Sequence, residues 1–342
     1  MMNLYKMLFF LMLMLGTIIS ISSKSWLGVW MGLEINLLSI IPLTNNSKEP
    51  WSTEASMKYF ITQAVASMIL LMGILTENLW ENLLMKNFYE WQMMSNMFIT
   101  TALLMKMGAA PFHFWFPEVM EGLSWMSNLI MMTWQKIAPM ITLMYVNFYE
   151  TFIVMVILTS TMTGSILGLN QTSMRKMLTF SSINHMGWML AILMFNETMW
   201  IWYFIIYSMM NVLLTYMMSK MNINLISQFM ETEKIDYSSK MFLSMNLFSL
   251  GGIPPFIGFL PKWFTIQALI MNKMFLMTTI MIILTLITLY FYMRITLMMV
   301  SMMNSKSITF KTGKNKKMKK TSTMNFMFLV SLIISTLILT WK

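Results

Sequence analysis

Cysteine is absent, which excludes disulfides, thiolate metal sites, iron–sulfur ligation and cysteine nucleophiles. Histidine occurs only at His113 and His185, too few and too far apart in sequence for a zinc or haem site without other ligands. Charge is scarce too: 11% of the 342 residues are ionisable Asp, Glu, Lys or Arg, against roughly 25% in an average soluble domain. No glycine-rich phosphate loop precedes a lysine, and no dinucleotide fingerprint is present. Apolar residues fill the space: 57% of the chain is hydrophobic, with 13 Trp, 24 Phe and 11 Tyr, and the mean hydropathy is +0.65. Water does not tolerate that much exposed apolar surface, so the solvent of this chain is mostly lipid and the fold class is an all-α polytopic membrane protein. The 49 Met are compatible with the same fold, because Met replaces Leu with little change of volume or apolarity. Such an excess fits codon bias in an AT-rich genome, which suggests a mitochondrion.

Apolar runs long enough to cross about 30 Å of hydrocarbon, roughly 20 residues each, number about eleven. They fall near residues 3–21, 26–43, 57–76, 94–116, 124–144, 150–169, 176–195, 199–218, 241–271, 274–300 and 323–341. The first has no small-residue cleavage site and a second span follows closely, so it reads as a true span rather than a removable signal peptide. With alternate loops on alternate sides, 16 basic residues fall on the side of the N-terminus and 4 on the other. In a soluble protein the net charge of +10 would raise nucleic-acid binding; here it reads as topology, with no nucleic-acid partner. The N-terminus then faces the matrix and the C-terminus the intermembrane space. The run Lys311 to Lys320 reads as a solvated topogenic loop in preference to a specific lipid or protein site.

Two spans are interrupted by prolines in matching patterns, Pro111-Phe112-His113-Phe114-Trp115-Phe116-Pro117 and Pro255-Phe256-Ile257-Gly258-Phe259-Leu260-Pro261, each preceded by small residues. The topology runs these spans in opposite directions, the relation expected of inverted repeats. The expected organisation is a first five-helix repeat over 1–148, a second over 149–302, a basic matrix loop over 303–322 and a C-terminal transmembrane helix over 323–342. Proline removes an N–H and clashes with the preceding turn. The prolines therefore read either as kinks in a packed bundle or as broken helices at a transport site, and their duplication in opposed halves favours the second.

Four charges lie within spans: Glu34, Lys106, Lys136 and Lys262. Each costs about 2.5–3.5 kcal/mol at mid-span on insertion scales, and at about 1.5 Å per residue the first three lie too deep to snorkel. A Glu34–lysine pair that merely fixes packing would leave two lysines unexplained. Desolvation disfavours an ammonium and a nearby carboxylate favours it, so a moving proton or a moving carboxylate could load and unload such lysines. His185, in Ser181-Ser182-Ile183-Asn184-His185, suits the same relay. His113, beside the breaking prolines, reads equally as relay or as polar packing.

The stretch Leu104-Met105-Lys106-Met107-Gly108-Ala109-Ala110-Pro111-Phe112-His113-Phe114-Trp115-Phe116-Pro117-Glu118, with Trp134-Gln135-Lys136-Ile137-Ala138-Pro139, closely resembles the antiporter-like subunits of respiratory complex I. Asn184-His185-Met186-Gly187-Trp188 and Gly251-Gly252-Ile253-Pro254-Pro255-Phe256-Ile257-Gly258-Phe259-Leu260-Pro261-Lys262 extend the resemblance over most of the chain. It implies that Glu34 and Lys106 are the family's glutamate–lysine pair, that Lys136 is the bridging lysine and Lys262 the terminal one, and that His185 lies on the polar axis between them. The family's full pattern has fourteen helices, so the three N-terminal ones are expected to be missing here, with none of the key charges lost. The stop at Lys342 and the lysine at 262 favour one short subunit of the family over its larger relatives, and the chain as a whole resembles that of an animal mitochondrion, insect-like in character. The resemblance implies no redox centre, cofactor or metal in this chain; NADH, flavin, iron–sulfur clusters and ubiquinone belong elsewhere in the complex. It implies partners among the other membrane-arm subunits, including neighbouring antiporter-like ones, and inner-membrane lipids. The function expected is proton translocation from matrix to intermembrane space as part of NADH:ubiquinone reductase. The alternatives are a stand-alone cation/proton antiporter and a non-pumping structural subunit of the same complex.

Overall fold

The computed structural model describes residues 4–45, 50–83, 88–231, 237–254 and 256–301. Pro255, the basic stretch 303–322 and the expected last span, 323–342, lie outside the described residues. The chain divides into two compact units, Met1–Ser160 and Thr161–Lys342. Every regular element among the described residues is an α-helix, apart from an isolated bridge between Ser173 and Leu225.

The first unit begins with α1 (Leu4–Ser22) and α2 (Trp26–Thr44), joined by a short turn in which Ser25 caps α2 by accepting from the Gly28 amide. Their axes approach to backbone contact. A Cβ on Gly32 would lie 2.8 Å from the Ser20 Cα, and one on Gly16 would lie 3.0 Å from the Gly32 carbonyl oxygen. Without a hydrophobic drive between helices in lipid, small residues that admit such contact are what hold a pair together, and this one fixes the helix that carries Glu34. The outer face of α1 (Leu4, Met7, Leu8, Leu11, Leu15, Ile18) is exposed and apolar, as a lipid-facing stripe must be. The unit continues with α3 (Pro50–Leu83), α4 (Phe88–Met107), α5 (Trp115–Gly122), α6 (Trp125–Met132), α7 (Trp134–Met144) and α8 (Glu150–Gly168), the unit boundary falling within α8.

The second unit contains α9 (Met174–Leu193), α10 (Glu197–Met221), the single turn α11 (Gln228–Glu231), α12 (Tyr237–Gly251), α13 (Phe259–Met271) and α14 (Phe275–Ser301). From Met177 to Leu193, α9 is buried on every side, so Ser181, Ser182, Asn184 and His185 meet protein rather than lipid. The start of α9 is tied to the segment after α10 by Met174 N–H to Asn224 O, 2.9 Å, and Ile226 N–H to Thr172 O, 3.0 Å. At the far end of α14, Arg294 donates to the Leu169 carbonyl at 3.0 Å.

Among the described residues, six helices are long and apolar enough to cross a membrane, by length and composition: α1, α2, α3, α8, α10 and α14. The expected spans 94–116, 124–144 and 241–271 are each divided, into α4 and α5, α6 and α7, and α12 and α13. The division of 124–144 departs from the expectation of a continuous span. Its interior proline, Pro139, lies within α7, whereas the interruption comes earlier, at Thr133, whose hydroxyl turns back to the Leu129 carbonyl at 2.7 Å.

Candidate functional site

Both proline segments break their helices in the same way. α4 ends in a left-handed glycine, Gly108 at φ +72°, with Ala109 N–H bonding back to Leu104 O at 3.1 Å. α12 ends in Gly252 at φ +80°, with Ile253 N–H bonding back to Phe248 O at 3.4 Å. These are Schellman closures, which satisfy carbonyls that a helix end leaves free and which only glycine adopts without strain. The path beyond them repeats as well. Phe112 N–H reaches Ala109 O and Phe256 N–H reaches Ile253 O, both at 2.9 Å; Phe116 N–H then reaches His113 O at 3.0 Å, and Leu260 N–H reaches Ile257 O at 3.2 Å. Every donor and acceptor of the second set stands 144 positions after its counterpart in the first. The Ala110–Pro111 bond is cis, and Trp115 Nε1 donates to Met105 O at 3.2 Å, a carbonyl that also accepts from the Gly108 amide.

In the second unit, Lys262, in the first turn of α13, crosses the break and donates from Nζ to the Gly251 carbonyl at 2.8 Å. It is 6% exposed. The ammonium thereby sits on the negative end of the α12 dipole, where a cation is favoured. Its stem lies over Gly252, whose missing side chain makes the room: a Cβ there would be 2.8 Å from Lys262 Cδ and 3.0 Å from Nζ.

In the first unit, Lys106 belongs to the last turn of α4 and is 7% exposed, so it too stands at the C-terminal end of a broken helix. Its carbonyl accepts from Gln63 Nε2 at 3.3 Å. Glu34, partly buried on α2, exerts its field on Lys106 and on the buried Tyr59. Lys58 pairs with Glu54 and Glu118, at 3.1 and 2.9 Å, on the exposed side of α3 and α5. Glu34 acts on Lys106 across space.

Lys136 is 1% exposed, in the first turn of α7 just past the Thr133 interruption, with its ammonium 5.5 Å from the centre of the Phe116 ring. Next to it, Gln135 donates from Nε2 to Asn36 Oδ1 at 2.9 Å and accepts from the Tyr59 hydroxyl at 3.3 Å. One amide thus ties α2, α3 and α7 together. His113 is buried in the first break, its ring tilted against Phe114 with centroids 4.5 Å apart, with no hydrogen-bond partner for Nδ1 among the described residues. His185 is 2% exposed, and its Nδ1 is 2.9 Å from the Tyr203 hydroxyl.

Glu34, Lys106 and Lys136 thus belong to the first unit, and His185 and Lys262 to the second. Reading by charge alone missed the uncharged partners Asn36, Tyr59, Gln63 and Gln135, and also Tyr203 and Tyr207 around His185. The last two were within reach, since Tyr203, Tyr207, Asn211 and Thr215 recur every fourth residue along α10. Among the described residues no group of His, Asp or Glu is placed to hold a metal ion.

The family described as NADH:quinone oxidoreductase/Mrp antiporter, TM matches residues 23–288. A relative from Anopheles gambiae named NADH-ubiquinone oxidoreductase chain 2 is 47% identical over 335 residues, covering 97% of both chains. One of the same name from Locusta migratoria is 46% identical over 310 residues, covering 89% of this chain and 88% of its own. Among solved structures, a chain of respiratory complex I from Thermus thermophilus has the same fold, with a TM-score of 0.84 at 21% identity over 99% of this chain and 80% of that one. A chain of the Mrp complex from Dietzia sp. matches with a TM-score of 0.73 at 17% identity, over 84% of this chain and 59% of that one.

Proposed function

This chain belongs to the NADH:quinone oxidoreductase/Mrp antiporter family, and within it to the relatives named NADH-ubiquinone oxidoreductase chain 2; on that premise we propose that it moves protons across the mitochondrial inner membrane as a membrane-arm subunit of complex I. It holds no redox centre, and its partners are the neighbouring membrane-arm subunits, antiporter-like ones among them. Redox energy released elsewhere in the assembly drives it. The proton path runs through Glu34, Lys106, Lys136, His185 and Lys262, with His113 beside it.

The observation that carries this reading is the repeated break, with one buried ammonium at each: Lys106 in the closing turn of α4, and Lys262 seated on the end carbonyl of α12. Buried cations at helix ends opened within the membrane are costly to build, and they suit a site that loads and unloads charge. The matched hydrogen bonds 144 residues apart support two five-helix repeats of inverted direction, 1–148 and 149–302, within an eleven-span chain. The uneven division of basic residues supports a matrix N-terminus and an intermembrane-space C-terminus.

Movement of Glu34 relative to Lys106 changes how well the ammonium is supported, so the proton leaves Lys106 for Lys136 when the carboxylate withdraws. Glu34→Gln fixes the withdrawn state. In mitochondria carrying it, the complex should assemble normally on native gels while the proton-to-electron ratio falls, or NADH oxidation slows if coupling is tight; Lys106→Met should do likewise. A normal ratio and turnover in fully assembled Glu34→Gln complex would make the pair structural. Reconstituted alone, the chain should exchange no cations down a pH gradient, in contrast to a stand-alone antiporter.

A further inference from the structure

Resting on the relay reading above, we propose that Tyr203 is a further relay residue, passing protons between His185 and the aqueous face at which α10 begins. α10 is an inverted amphipathic helix. Ile201, Trp202, Ile205, Met209 and Val212 are exposed and apolar, while Tyr203, Tyr207, Asn211 and Thr215 are 1%, 1%, 3% and 1% exposed. Residues four apart share a helix face, so the four form one buried polar stripe. Tyr203 Oη lies 2.9 Å from His185 Nδ1, and the Tyr207 ring lies 5.1 Å from the imidazole. The Tyr207 hydroxyl interacts with Ser182 and Asn211, and Thr215 bonds back to the Asn211 carbonyl at 2.8 Å.

Position separates Tyr203 from the rest of the stripe. It is the member nearest the start of α10, where Asn196, Glu197 and Thr198 are exposed. From Glu197, the first residue of α10, to Tyr203 the helix rises about 9 Å at 1.5 Å per residue. A phenylalanine would fill the same volume without burying a hydroxyl, which is costly unless bonded, so packing alone does not require the oxygen.

The transfer balances without ionising the tyrosine. Imidazolium at His185 gives its Nδ1 proton to Tyr203 Oη, and the hydroxyl's own proton passes to a water molecule that must enter between Tyr203 and the start of α10, because Tyr203 itself is 1% exposed. One N–H and one O–H bond break, a new O–H forms at the tyrosine and another on the water, and neutral imidazole and neutral tyrosine remain. Rotation of the hydroxyl resets the pair.

The test uses purified, reconstituted complex carrying Tyr203→Phe, with His185→Gln and the exposed Tyr216→Phe beside it. Removing a positioned acid–base group slows the step it serves by about 10²–10⁴-fold, so coupled NADH oxidation in Tyr203→Phe should fall about 10-fold or more. Its solvent deuterium isotope effect should rise, a readout that a packing role would not move, and Tyr216→Phe should match wild type. Wild-type behaviour of Tyr203→Phe with an impaired His185→Gln would overturn the proposal and leave the relay reading standing; no impairment in either would overturn both. Loss of assembly in Tyr203→Phe, or equal impairment in Tyr216→Phe, would assign the hydroxyl to packing and also overturn it.

Discussion

Replacing Gly252 by alanine should unseat Lys262. The new Cβ would lie 2.8 Å from Cδ, 3.0 Å from Nζ and 3.2 Å from Cε of that lysine, all too close. The lysine chain is flexible and can swing aside, so the clash is relieved at the expense of its bond to the Gly251 carbonyl. A hydrogen bond to a charged group contributes about 1.5–3 kcal/mol, and the left-handed backbone at φ +80° costs a residue with a Cβ about 1–2 kcal/mol more. The combined loss is a sizeable part of the roughly 5–15 kcal/mol that holds a typical domain folded, yet short of abolishing it. The adjacent glycine supplies the control. A Cβ on Gly251 would meet only Tyr292 Cδ2 at 3.6 Å and Leu289 Cγ at 3.9 Å, ordinary contacts, within helical backbone. Gly251→Ala should therefore be neutral or slightly stabilising, by up to about 1 kcal/mol. Thermal challenge followed by native electrophoresis measures the stability difference, and the proton-to-electron ratio of reconstituted complex measures the functional one. Equal stability and equal pumping in the two variants would refute the seat that Gly252 makes for Lys262.

Gln135→Leu should release both Asn36 and Tyr59 and leave their polar groups unbonded; each buried group so stranded costs about 1–3 kcal/mol, seen as lowered thermal stability together with slowed proton translocation, whereas Gln135→Glu should keep the Tyr59 bond and recover part of the loss. Protease added to intact mitoplasts should spare the segment Lys311 to Lys320, and cleavage there without permeabilising the membrane would reverse the topology.

How much could be read in advance differs between elements. The breaks after Met107 and Gly251 were legible because glycine and proline act on the backbone locally, and their effect needs no knowledge of the neighbours. The burial of Lys106, Lys136, Lys262 and His185 was legible for a related reason: charge in an apolar run has to be sheltered. The interruption at Thr133 was not, since threonine within an apolar run is ordinary, and Pro139, the visible breaker, sits inside α7. Nor was the Tyr59–Gln135–Asn36 contact, which joins three helices through residues far apart in sequence. The hydropathy of α9 also misleads: a helix buried on every side meets no lipid and has no need of an apolar face, so its polar residues say little about span length.

The partner that Lys262 has chosen sets the terms on which it gives up a proton. A carbonyl oxygen accepts an N–H from a neutral amine as well as from an ammonium, whereas a carboxylate would hold the charge and resist its release. The Gly251 carbonyl therefore holds less firmly than a carboxylate would: it fixes where the nitrogen is, and as a helix-end dipole it favours the ammonium by less than a full negative charge. In the relay proposed above, protonation at Lys262 changes with the side chain at rest, while the support of Lys106 comes from a carboxylate on another helix and changes when that carboxylate moves. In the proposed relay, one end is tuned by motion and the other stays in place to receive what motion sends.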